Sequence, residues 1–99
     1  MVSNVSKAIQ HIQRVNLSGD VQEVKFEYNS GRYLVKNFSG GDIYASFEPT
    51  VDESISIRIT NGYAQVCIIN EKGTGYGQSK TDTIYLKGVG EVEVQQLWY

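Results

Sequence analysis

The chain is short of nearly every residue type that builds special chemistry. Among its 99 residues there is one cysteine, one proline, one histidine, one methionine and one tryptophan. The lone cysteine, Cys67, excludes an intrachain disulfide and a Cys-x-x-Cys pair. It therefore argues against a small secreted scaffold held by disulfides. The lone histidine, His11, has no cysteine or serine partner in any local motif, and reads as a surface or half-buried residue rather than a general base. Neither sign of charge dominates: the net charge is −2 with both signs interspersed. That leaves no electrostatic footprint for nucleic acid. Long hydrophobic runs are missing as well. Residues 1–17 lack the continuous apolar core of a signal peptide, and no window approaches the length that spans a bilayer. Asn-x-Ser triplets at Asn4, Asn16 and Asn37 read, without a secretory signal, as accidents of composition. A membrane partner is not expected. The length suits one domain, which at this size buries roughly two-thirds of its unfolded surface.

What the sequence does have is alternation. From residue 21 onward apolar and polar residues follow one another with period two, which lines a strand face and would scatter around a helix. "VKFEY" places Val24, Phe26 and Tyr28 on one face, and "DIYASFE" places Ile43, Ala45 and Phe47 inward. "SISIRIT" aligns Ile55, Ile57 and Ile59. "AQVCIIN" is more uniformly apolar, as a strand buried on both faces or central in its sheet would be. "DTIYLK" and "EVEVQQLW" complete the set; in the last, Val92, Val94 and Trp98 share a face that Gln96 interrupts. "NSG" and "SGGD" fit hairpin loops and "NGY" a tight turn, because Asn and Gly tolerate positive φ. Pro49 lies just past a strand end, where its missing N–H does no harm. Short strands at this spacing predict an all-β sandwich or barrel of about seven or eight strands. Residues 1–15 are open between readings. Val5, Ile9 and Ile12 suit a short amphipathic helix, while their β-branching and the following "RVNL" suit an edge strand or an extended arm.

No motif indicates an enzyme, a metal or a cofactor. "GTGYGQSKT" invites a phosphate-loop reading, but the glycines required before Lys80-Thr81 are Ser79 and Thr74, and a strand follows instead of a helix. It reads as a flexible loop that could form a contact surface. Cys67, within the most apolar strand, reads as a small core residue rather than a reactive thiolate. Asp52-Glu53 falls in a loop. Glu91 and Glu93 alternate with Val92 and Val94 and read as the solvated face of an edge-capable strand. The remaining lead is aromatic: seven tyrosines, three phenylalanines and Trp98. Tyr44 and Tyr85 fall on faces opposite the core residues of their strands. They suit sugar stacking or protein contacts, or simply the strand preference of tyrosine. Trp98 and Tyr99 are too apolar to leave loose. They are expected to pack either on their own sandwich or across a subunit interface.

With these residues in view, the chain resembles a family of small β-sandwich structural proteins of tailed phages and prophages of Gram-positive bacteria. The segments that carry the likeness are "GRYLVKNFSGGDIYASFEP", "SISIRI" and "TDTIYLKGVGEVEVQQL". They are strand-and-turn patterns without catalytic content. The resemblance implies a virion component of head-decoration, fibre or connector type, made in the bacterial cytoplasm and built into a particle. Its partners would be copies of itself and other virion proteins, since such domains commonly form symmetric homo-oligomers.

The reading is thus a single jelly-roll-like β-sandwich over residues 16–99, preceded by an arm or short helix over 1–15. Its candidate interface residues are Tyr44, Tyr85, Leu97, Trp98 and Tyr99. A carbohydrate-binding module, contacting glycans through Tyr44, Tyr85 or the Gly73 to Gly77 loop, is the alternative. A small enzyme with an unrecognised site is a third.

Overall fold

The computed structural model describes residues 11–69 and 80–98. Its strands are β1 (Ile12–Ser18), β2 (Gln22–Ser30), β3 (Arg32–Asn37), β4 (Ile43–Ser46), β5 (Ile57–Ile59), β6 (Ala64–Ile68), β7 (Thr81–Lys87) and β8 (Val89–Trp98). There is no helix among the described residues. The strands form two four-stranded sheets, the first in the order β1-β8-β3-β6 and the second in the order β2-β7-β4-β5. All pairings are antiparallel, and they nest: β1 with β8, β2 with β7, β3 with β6, β4 with β5. The pairs β3·β8 and β4·β7 then join this doubled ribbon sideways into the two sheets.

The inner faces meet in one core, as in a β-sandwich. Val24, Phe26, Ile43, Ala45, Ile84 and Leu86 come from the second sheet, and Tyr33, Val35, Val92 and Val94 from the first. Each fully buried aliphatic side chain of this kind contributes about 1.5–3 kcal/mol over leaving it in water. Period-two alternation places them there, and where it lapses the sequence reading fails. Tyr28, expected beside Val24 and Phe26, is 47 % exposed. The β2·β7 register shifts between Lys25 and Ser30, so the inward face is no longer the one the alternation indicates. Ile55, expected beside Ile57 and Ile59, is 83 % exposed. It sits in a turn in which the N–H groups of Ile55 and Ser56 both donate to the Asp52 carbonyl.

Strand β6 is the largest departure. Instead of a strand buried on both faces it is an edge strand, with only Cys67 buried and Val66 and Ile68 40 % and 49 % exposed. An apolar run cannot by itself distinguish a buried strand from one whose outer face is left uncovered. At the other edge, Ile12 belongs to β1, which pairs with β8 from Ile12↔Gln95 to Ser18↔Val89. The edge-strand alternative therefore holds for residues 12–18; Val5 and Ile9 lie outside the described residues, as does the Gly73 to Gly77 loop.

The expected hairpin loops are corners between the sheets. Every connection except β4–β5 changes sheet. A Gly/Asn turn reverses the chain but does not encode which sheet receives the next strand. At the β2–β3 corner the Ser30 hydroxyl accepts from the Arg32 N–H (3.1 Å) and donates to the Arg32 carbonyl (2.7 Å). At the β3–β4 corner the buried Asn37 carboxamide donates to the carbonyls of Gly41 (2.7 Å) and Ile59 (2.9 Å). It also accepts from the Ser39 N–H (2.8 Å) and hydroxyl (2.6 Å). One side chain thus holds its own corner and ties it to β5 of the facing sheet.

The corner between β7 and β8 packs directly against that one. Gly90 has φ +119°, and a Cβ there would lie 2.6 Å from the Ser39 carbonyl oxygen and 2.7 Å from its Cα. Gly62, in the β5–β6 turn, has φ +83° but nothing within 4 Å. Both positions strain an L-residue, and only Gly90 adds a backbone collision. Gly90→Ala should therefore destabilise the fold by at least about 3 kcal/mol, and Gly62→Ala by about 1 kcal/mol. Urea denaturation of the two variants tests this; equal losses would contradict the packing.

Candidate functional site

The candidate interface residues whose side chains are described, Tyr44, Tyr85 and Leu97, do not converge on one surface. Tyr44 and Tyr85 lie on the outer face of the second sheet. Tyr44 is flanked by Lys87 of β7 and Arg58 of β5, while Tyr85 stands opposite Ser46 of β4 and Glu23 of β2. The two tyrosines are thus diagonal neighbours across β4·β7, a separation that long side chains can bridge. Both are half-buried. Glu53 pairs with Lys87 (3.4 Å) and Asp42 with Arg58 (3.7 Å), so the cations beside Tyr44 are each matched by an acid. Leu97, by contrast, is in β8 of the first sheet, half-buried at a bulge where the β3·β8 register shifts. Trp98 continues β8, its backbone opposite Arg32. Its side chain and all of Tyr99 lie outside the described residues.

The outer face of the first sheet carries a feature the sequence reading missed. Glu93 is on the central strand β8, opposite Arg14 of β1 and Lys36 of β3. Its carboxylate meets Lys36 Nζ at 3.0 Å and Arg14 Nε at 3.2 Å. Hydrogen bonds from Lys36 and then from Arg14 hold its pKa below the ordinary carboxylate value, against the opposing effect of desolvation. It is a shared counter-ion under two long side chains, and the reading of Glu93 as a solvated edge residue is corrected. On one side of this charged row Ile12, Leu34 and Val66 share a row with Gln95, and beyond it Ile68 stands opposite Arg32; on the other side Asn16 stands opposite Glu91.

Asp52, the other acid singled out from sequence, anchors a turn. Its carboxylate accepts from the Ser54 hydroxyl (2.7 Å) and N–H (2.9 Å), which lowers its pKa. The Cys67 thiol is pushed up to about 12 by burial, so it stays protonated at neutral pH. No group of three or more His, Cys, Asp or Glu side chains comes together in a way that could hold a metal ion, among the described residues.

Gln96, noted in the sequence only as an interruption, is the centre of a buried polar network. Its Nε2 donates to the Tyr28 carbonyl (2.6 Å) and to the Tyr33 hydroxyl (3.0 Å). Because a carbonyl can only accept, this orientation leaves Oε1 as the acceptor for His11 Nδ1 at 2.8 Å, so Nδ1 carries a proton. The Tyr33 hydroxyl donates its own hydrogen bond to the Thr81 carbonyl, and burial raises the phenol's pKa. Every member faces a partner, and no buried side-chain nitrogen or oxygen is left without one among the described residues. The signal that could have found it is a lone amide at an inward position of an otherwise apolar strand.

Compared with protein-family models, with curated proteins and with solved structures, the chain matches none.

Two outcomes follow for these polar centres. Gln96→Leu removes the donor to the Tyr28 carbonyl and to the Tyr33 hydroxyl oxygen and the acceptor that His11 Nδ1 faces, and should lower unfolding free energy by about 2–4 kcal/mol in chemical denaturation. Glu93 has its pKa depressed on folding, so its stabilisation is present above the ordinary carboxylate range and lost as pH falls through the lowered value. Glu93→Gln should melt below the wild type at pH 7, with the gap closing as pH falls below about 4. A gap independent of pH would show that the carboxylate charge does not matter.

Proposed function

We propose that this chain is a non-enzymatic structural protein that acts by assembly, on the frame of a jelly roll. The nested pairings and the orders β1-β8-β3-β6 and β2-β7-β4-β5 support that frame: eight antiparallel strands, a doubled ribbon rolled into two facing sheets. Jelly rolls serve both as capsid domains and as lectins, so the frame alone does not choose between them.

The observation that carries the assembly reading is the apolar group of Leu34, Val66 and Ile68 on the outer face of the first sheet, at its β6 side. Val66 and Ile68 are each at least 40 % exposed there, while Glu93, Gln96, Asn37 and Cys67 are engaged or buried in structural roles. Contiguous apolar side chains on a sheet face point to a protein contact. Joined to the resemblance to small phage and prophage structural proteins, this favours a virion component of head-decoration, fibre or connector type. It would be made in a bacterial cytoplasm, with copies of itself and other virion proteins as partners. Light scattering over a concentration series should give a defined oligomer of the full chain. A folded monomer up to millimolar concentration would overturn the reading.

A glycan-binding role is the second reading, favoured by one observation, the diagonal pair Tyr44 and Tyr85 on the opposite face. A half-buried tyrosine ring with one face open to solvent can stack on a sugar. Under the assembly reading a glycan array stays silent. Saturable sugar binding that is lost in Tyr44→Ala and Tyr85→Ala, with the fold intact, would transfer the function to that face.

A further inference from the structure

Two sheets have four edges, and three of them are blunted. Strand β5 is only three residues long and carries Arg58, and its Ile59 carbonyl is taken by Asn37. Strand β2 bears Glu23, Lys25 and Glu27 and has a broken register. Strand β1 contains Arg14, and the Gln13 amide donates to the Lys25 carbonyl (2.6 Å), bridging from β1 to β2 of the facing sheet. Charge, shortness and bulging are the usual protections against strand addition. Strand β6, "AQVCI", has none of them: five residues, no charge, no proline and no register shift.

Its bonding groups are aimed outward in a defined set. The Ile69 N–H donates to the Gly31 carbonyl (3.1 Å) and the Asn37 N–H to the Tyr63 carbonyl (3.0 Å), in register with Tyr33↔Cys67 and Val35↔Gln65. Antiparallel ladders alternate, so the odd-numbered residues of this strand bond β3, and the N–H and C=O groups of Ala64, Val66 and Ile68 face away from the sheet. The Val66 carbonyl is met by the exposed Gln65 side chain at 3.2 Å, a contact that an incoming strand would displace.

Resting on the assembly reading, we propose that this edge pairs with the β6 edge of a second copy. The pairing is antiparallel about a two-fold axis at Val66, making one continuous eight-stranded sheet. Val66 then faces Val66, and each Ala64 faces an Ile68, both uncharged pairs. The nearest cations in these rows are Lys36 and Arg32, each one strand inside its own edge. Across the axis they stand three strand spacings apart, about 14 Å, beyond the screening length of about 8 Å at physiological salt. The Ile12, Leu34 and Val66 row of one copy runs directly into that of the other. A two-fold contact of this kind is self-complementary by construction, and main-chain bonding supplies the docking, as in strand addition generally.

The test is sedimentation equilibrium of the full chain with Val66→Lys and Val66→Pro, alongside amide hydrogen exchange. Lysine would place two like charges face to face at the axis. Proline removes only an N–H that points away from β3, which an edge strand tolerates. Both variants should keep the β circular dichroism and weaken dimerisation by at least about a hundredfold, roughly two decades in Kd. In the wild type the Ala64, Val66 and Ile68 amides should become protected as concentration rises. An oligomer unaffected by both variants overturns this edge while leaving the assembly reading in place. A wild type that stays monomeric overturns both, and a monomer that takes up a synthetic strand peptide along β6 assigns the edge to a different partner.

Discussion

At one end of the sandwich a single amide joins both sheets by directed bonds. Gln96, on β8, reaches Tyr28 at the end of β2 and the hydroxyl of Tyr33 on β3, which in turn reaches Thr81 at the start of β7. Apolar packing brings two sheets together but leaves them free to slide, because it has no direction. The amide network supplies direction at one end of the sandwich, and Asn37 supplies it at the other, linking the β3–β4 corner to β5. These two carboxamides, with Gln13 reaching from β1 to the Lys25 carbonyl of β2, give the contact between the sheets its direction, and the hydrophobic residues fill the space between them.

Strand β8 carries most of this responsibility. Its inner face gives Val92 and Val94 to the core and Gln96 to the network, while its outer face gives Glu93 to Arg14 and Lys36. The strands on either side of it, β1 and β3, are therefore held through backbone ladders, a shared counter-ion and a common core. Charges at the surface contribute little singly. Glu93 differs because one carboxylate serves two cations from the strand that lies between β1 and β3.

The sequence is legible wherever period two survives. Val24 and Phe26, Ile43 and Ala45, and Val92 and Val94 all lie where alternation puts them, as do Tyr44 and Tyr85 on the far face. It is illegible where the deciding fact is non-local. Tyr28 is displaced by a register shift against β7, far along the chain. The exposure of Val66 and Ile68 depends on β6 having one neighbour and not two, which no local pattern records. Glu93 reads as solvated until Arg14 and Lys36 arrive from strands on either side. The turns announce that the chain reverses, but the choice between hairpin and corner is made by the pairing of residues dozens of positions away.

That nesting has a consequence for how the molecule comes into being. The strand that separates β1 from β3 is the last of the eight to leave the ribosome. Until it arrives, β1 has no ladder partner among the described strands and β3 presents a bare flank, so the first sheet cannot be completed before β8 has emerged. Domains normally fold as they emerge. Here the sheet must wait for its centre, and the nascent chain passes through a stage in which its most adhesive surfaces are open to chaperones and to neighbouring nascent copies.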